Sequence, residues 1–316
     1  MDVCKDLESL RRAGEEKLGN AFLGDDDRSE VPIWFDRVKF EAGREFFRRH
    51  VLSVAFSYFC SLYVGLTVKS LANAILFTGE SDTNERARRR YLNTMGHLFA
   101  WHTSDIVSDE SSMGYRSIRY VRAWHDRVRR RMATENDHDV GGYVSQYDTA
   151  LVQTGFVAPI ILYPRQFGIR YETDESDLSN YVFFWRVIGY ILGMRDEVNA
   201  CGVDLATTRN IAKQVEQEII VPGLRNPSST FVHLSEALVD GFRLFWPWLN
   251  SKVILGYVCP LMGLPPPSDM TWKDYIVVKL LKAHFFLMYL VPWYANYWNR
   301  KVFKLMTQLL PSAVIP

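Results

Sequence analysis

The sequence predicts an all-α fold, and three observations carry that expectation. Apolar positions recur at spacings of three and four along most of the chain. Clean alternation of apolar and polar residues over five or more positions is hard to find, so half-buried strands are not indicated. Glycine, proline and capping residues close the apolar segments at helix-like intervals. With 316 residues, 48% of them apolar, the chain can fill a substantial core. No repeat, low-complexity tract or long linker divides it, so a single multi-helix domain over residues 1–316 is expected, with 1–32 as a polar N-terminal extension.

Taken in order, the first strong element is the run of 18 uncharged residues between His50 and Lys69. It reaches the lower length limit for a membrane span, but its Ser, Gly, Thr, Tyr and Cys favour a core helix. Gly79, Asp82 and Asn84 then close one apolar segment and open a helix from about Glu85 to His102. Ser111, Ser112 and Gly114 precede a helix from about Tyr115 to Thr134. A further helix fits Gln146 to Phe156, ending near Pro159, and another fits Glu175 to Met194, capped by Thr173 or Asp174. From Val221 to Pro267 repeated prolines predict shorter helices. The aromatic run Ala283 to Trp298, flanked by Lys282 and Arg300 and kinked at Pro292, reads as a packed C-terminal helix or, over 283–300, as a membrane-contacting segment.

The 37 Lys and Arg against 36 Asp and Glu leave a net charge of +1, without the positive excess that phosphate backbones attract. Nucleic acid is not an expected partner. Cys4, Cys60, Cys201 and Cys259 stand singly, which suits a reducing compartment. The N-terminal MDVCKDLESLRRAGEEK has no apolar stretch of secretory-signal length, so an intracellular location is expected.

The segment YRSIRYVRAWHDRVRRRM, residues 115–132, is the most unusual chemically. At helical spacing Arg122, His125 and Arg129 fall within a stripe of about 60°, with Arg119 on its flank. Surrounding guanidiniums favour a neutral imidazole, the form that ligates a metal, and guanidiniums pair bidentately with carboxylates. The same pattern also describes a solvated basic face. His97, on the face of Arg90 and Thr94, reads as a distal ligand or proton donor, or as an ordinary core or surface histidine, and His102 is open to the same readings. His50, His138, His233 and His284 show no metal-ligand spacing. Nine Trp, sixteen Tyr and nineteen Phe can line an apolar cavity or fill the core.

Four stretches in register resemble the latex clearing proteins, or rubber oxygenases, and their relatives, among them the ER-bound oxygenase of mycophenolic acid biosynthesis. Arg122-x-x-His125-x-x-x-Arg129 resembles the family's haem-ligand helix. RRRYLNT places Arg90 and Thr94 at the spacing of a family Arg and Thr pair, some thirty residues upstream of the histidine. SQYDTALVQTGF (145–156) and WRVIGYILGM (185–194) resemble two downstream family segments. The resemblance covers roughly residues 35–195 and implies an all-helical domain enclosing haem b. It implies His125 as the proximal iron ligand, Arg122 and Arg129 as residues that seat the haem, and Arg90 and Thr94 as catalytic neighbours. Asn93 stands where the bacterial rubber oxygenases have a distal lysine, a family threonine falls on Val152, and the nearest substitute for their proposed catalytic glutamate is Glu80.

What the resemblance implies is a haem b-dependent oxygenase, with dioxygen as co-substrate, acting at a C=C bond of an isoprenoid or lipid-like hydrophobic substrate, associated with the endoplasmic reticulum membrane. Two other readings stand beside it: a haem-binding sensor or carrier without oxygenase activity, and a helical membrane-associated interaction protein.

Overall fold

A computed structural model describes residues 3–15, 31–81, 83–135, 144–171, 175–243 and 246–310, and no strand occurs among them. The all-α expectation holds. In chain order the helices are α1 (Leu7–Glu15), α2 (Arg37–Arg49), α3 (Val51–Gly65), α4 (Lys69–Phe77), α5 (Asn84–Thr103), α6 (Met113–Glu135) and α7 (Gln146–Leu162). They continue with α8 (Ser176–Ile191), α9 (Leu205–Val215), α10 (Val221–Arg225), α11 (Ser229–Phe242), α12 (Ser251–Val258), α13 (Trp272–Leu290) and α14 (Pro292–Leu309). Most of the N-terminal extension lies outside the described residues.

Side-chain caps explain most starts. The Asp36 carboxylate accepts from Val38 and Lys39 N–H, and the Thr83 hydroxyl from Arg86 N–H. Ser145 with Asp148, and Thr271 with Asp274, form reciprocal capping boxes at α7 and α13. The expected caps Thr173 and Asp174 lie outside the described residues; Glu175 occupies the N-cap position of α8 with φ 57°. A left-handed glutamate is strained, and its carboxylate is held by Arg209 at 2.6 and 2.8 Å.

Two expectations need correction. α7 runs through Pro159 to Leu162, because the imino nitrogen withholds a donor only from the carbonyl of Gly155, one turn back. The proline-rich tail still holds α11, fourteen residues long and capped by Ser228.

α2 lies along α8, α5 packs on α6 and α11, and α7 packs on α3 and α9. Gly114 permits the tight α5–α6 connection, since a Cβ there would lie 2.6 Å from the Asp105 carbonyl. The largest core cluster gathers Phe46, Phe47, Tyr181, Phe184 and Trp185, with His102 inserted between Phe47 and Phe184 at ring distances of 4.0 and 4.4 Å. All four cysteines are buried and free.

No single described helix is long and apolar enough to cross a membrane. α3 is an interior helix, burying Val51, Val54, Tyr58, Phe59, Cys60 and Tyr63. At Pro292 the C-terminal run does not merely kink: α13 ends and α14 begins at 113° to it. The pair leaves Trp272 (68% exposed), Leu280 (63%) and Trp293 (73%) uncovered.

Candidate functional site

Helices α3, α4, α5, α6, α7 and α9 surround a largely apolar cavity of about 320 Å³, closed further by Phe242 of α11, by Val258 at the end of α12 and by Leu261 and Met262 just after it. That volume lies at the small end of the range for ligand sites. α3 lends it Tyr58, Phe59, Leu62 and Val64, and α7 lends it Leu151, Val152, Gly155, Phe156 and Pro159.

His125 stands on this wall, between Trp124 and Val128 on α6. Burial first, and then the charge of Arg90, bring its pKa down to about 4, so the ring is neutral at pH 7. His125 has no hydrogen-bonded partner among the described residues. Arg90 and Thr94 share the wall from α5. Arg90 Nη1 donates to Thr78 Oγ1 at 2.7 Å, and the Thr94 hydroxyl donates to the Arg90 carbonyl at 3.1 Å. Thr78, itself a lining residue, thus orients the guanidinium across α4 and α5.

The structure brings His125, Arg90 and Thr94 together, but Arg122 and Arg129 do not line the cavity. Arg122 reaches the Ile191 carbonyl at the end of α8, 3.5 Å away, and Arg129 binds Asp126 at 2.6 Å. Asn93 and His97 are also off the wall. His97 Nδ1 instead meets Ser117 Oγ at 2.8 Å. His102 is buried, with Nδ1 on the Leu98 carbonyl at 2.7 Å and Nε2 3.3 Å from Tyr58 Oη. Glu80 is not a lining residue.

The segments at 145–156 and 185–194 interlock behind the cavity. Gln153 Nε2 donates to the Trp185 carbonyl at 2.8 Å and to Asn199 Oδ1 at 3.0 Å. Gly189 makes room for that amide, because a Cβ would lie 2.4 Å from it. Phe156 stacks on Trp185 with centroids 4.5 Å apart, so a core tryptophan backs a lining ring.

Sequence reasoning missed Tyr163 and Glu216. Both line the cavity, and Tyr163 Oη donates to Glu216 Oε2 at 2.7 Å. Glu216 opens a π-helical turn, Glu216–Ile220, that joins α9 to α10. Lys213-x-x-Glu216 within an apolar segment was the available signal, but it resembles any surface pair.

Among the described residues no three His, Cys, Asp or Glu side chains come together as a metal-binding group. Comparison with curated proteins and with solved structures gave no match. A family model does match, over residues 48–309: the catalytic domain described as ER-bound oxygenase mpaB/B′/rubber oxygenase. That range takes in every helix from α3 to α14, the whole cavity wall and the arginine-rich α6. On that match the chain belongs to the ER-bound oxygenase mpaB/B′ and rubber oxygenase family, as an oxygenase catalytic domain.

Proposed function

We propose that the chain, acting as one helical domain, binds haem b through His125 and uses dioxygen to oxidise a hydrophobic, isoprenoid-like substrate at a C=C bond. The observation that carries this reading is an imidazole, without a hydrogen-bonded partner among the described residues, on the wall of an apolar cavity beside Arg90 and Thr94. A single protein ligand suits a metal whose remaining ligands arrive with a macrocycle. The donor set therefore fits haem, which when bound supplies the dioxygen-activating chemistry.

The residues divide that work. His125 holds the cofactor, and Arg90, the guanidinium facing the cavity, offers the charge that its propionates need. Arg122 ties α6 to the Ile191 carbonyl at the end of α8, while Arg129 pairs with Asp126 within α6. Thr94 lies next to Arg90 with its oxygen available to a reacting group. The aliphatic and aromatic lining excludes water and accommodates a hydrocarbon chain.

Such substrates partition into bilayers, and α13 with α14 offers a face suited to one. Its exposed Trp272, Leu280, Trp293 and Tyr297 are accompanied by Lys273, Lys279, Lys282, Arg300, Lys301 and Lys304. Aromatic side chains flanked by lysines are what an anionic membrane surface, such as the cytosolic face of the endoplasmic reticulum, retains. The haem reading is tested by expressing the protein with haem supplied and comparing visible spectra of wild type and His125→Ala. A Soret band in the wild type that is lost in the variant is expected; its absence from both would return the chain to a cofactor-free interaction protein, and haem without turnover of prenyl substrates to a sensor or carrier.

A further inference from the structure

The cavity wall carries one charged group that an oxygenase of plain hydrocarbons has no use for. Glu216 is 7% exposed, yet lines the cavity together with Tyr163. Its Oε1 accepts from Lys213 Nζ at 2.5 Å and from Gln217 Nε2 at 3.0 Å, while among the described residues Oε2 accepts from Tyr163 alone. Lys213 Nζ also lies 3.4 Å from Tyr163 Oη. A carboxylate has about four acceptor sites, so this arrangement leaves one, on Oε2.

The Lys213 side chain is half exposed, and an ion pair open to solvent on one side adds little to stability, so stability alone does not call for a carboxylate on this wall. Its position on a π-helical turn, a departure from regular helix that is frequent at functional sites, points the same way. α9 packs on α7, and α6 packs on α5, so the carboxylate and His125 reach the cavity from different helix pairs.

Resting on the reading of this cavity as the substrate site, we infer that Glu216 and Tyr163 form a head-group subsite that selects apolar chains ending in an uncharged hydroxyl. A ligand hydroxyl donates to Glu216 Oε2. A plain hydrocarbon leaves that acceptor unsatisfied, and a carboxylate or phosphate is repelled by it.

The test is calorimetric binding to the purified full chain of three prenyl ligands of one chain length: the hydrocarbon, the alcohol and the carboxylic acid. A hydrogen bond to a charged group gives the alcohol at least about a tenfold tighter Kd than the hydrocarbon, with the acid weakest. In Glu216→Gln the penalty on the acid disappears and the alcohol's advantage over the hydrocarbon shrinks. Equal affinities in the wild type, or the same ranking in Glu216→Gln, overturn the head-group subsite and leave the cavity reading intact. If none of the three binds, the cavity reading itself fails and the subsite with it. The wild-type series stands without the variant should Glu216→Gln not fold.

Discussion

At Gly189 an added methyl group would meet Gln153 Nε2, which is already committed to the Trp185 carbonyl and to Asn199. Gly189→Ala should therefore lower stability by about 1–3 kcal/mol, read as a lower urea midpoint. Two histidines predict how stability changes with acid. Burial, the larger cause for each, brings His102 down to about 3 and His50 to about 4; for His50 the charge of Arg49 lowers it further and Asp177 opposes. The unfolded chain protonates these rings near pH 6.5, so their contribution is intact above that pH and is lost as pH falls toward 4. Neither ring nitrogen of His50 has a partner among the described residues, and the ring packs on Phe46 at 4.8 Å. His50→Phe should then keep stability at pH 7 and flatten the decline between pH 6.5 and 4, as measured by urea titrations across that range. Sequence spacing correctly put Arg122 and Arg129 near His125 along the helix, but spacing fixes where a side chain leaves the backbone, not where a guanidinium ends. Asp126 captures one and the Ile191 carbonyl the other. Arg90 reached the cavity wall in the reading only through family resemblance, since nothing in its own spacing marks it.

Helix α7 forms one wall of the cavity, and its start depends on Ser145. Ser145→Ala removes the hydroxyl from the capping box and should cost about 1 kcal/mol, seen in the denaturation midpoint. Helices marked by caps were legible to within a few residues: α5 was expected over 85–102 and spans Asn84–Thr103, and α6 was expected over 115–134 and spans Met113–Glu135. Pro159 misled because a proline is a probable stop, and here the helix continues for three residues beyond it. The π-helical turn at Glu216 was illegible for a different reason. Inserting one residue per turn over five residues disturbs the apolar period too briefly to read, and so the carboxylate it presents to the cavity went unseen.

Across the whole molecule, the all-α class followed from periodicity alone, while the cavity did not, because its walls come from segments as far apart in sequence as Tyr58 and Met262. The V of α13 and α14 was half legible: its aromatic run was visible, but the 113° bend that turns two helices into one face was not. Full-length protein should co-sediment with vesicles containing anionic lipid more than with neutral ones, and Trp272→Glu with Trp293→Glu should abolish this without lowering the thermal midpoint. Self-association in solution with no vesicle binding would instead make that face a contact between copies. The four buried thiols have a use of their own. Cys60 and Cys201 sit in the main core, Cys4 sits in the cluster around α1 and α7, and burial holds all four thiols above their ordinary pKa. Single-cysteine versions exposed to a pulse of alkylating reagent would thus time the opening of each region separately, giving the chain a built-in clock for the order in which it comes apart.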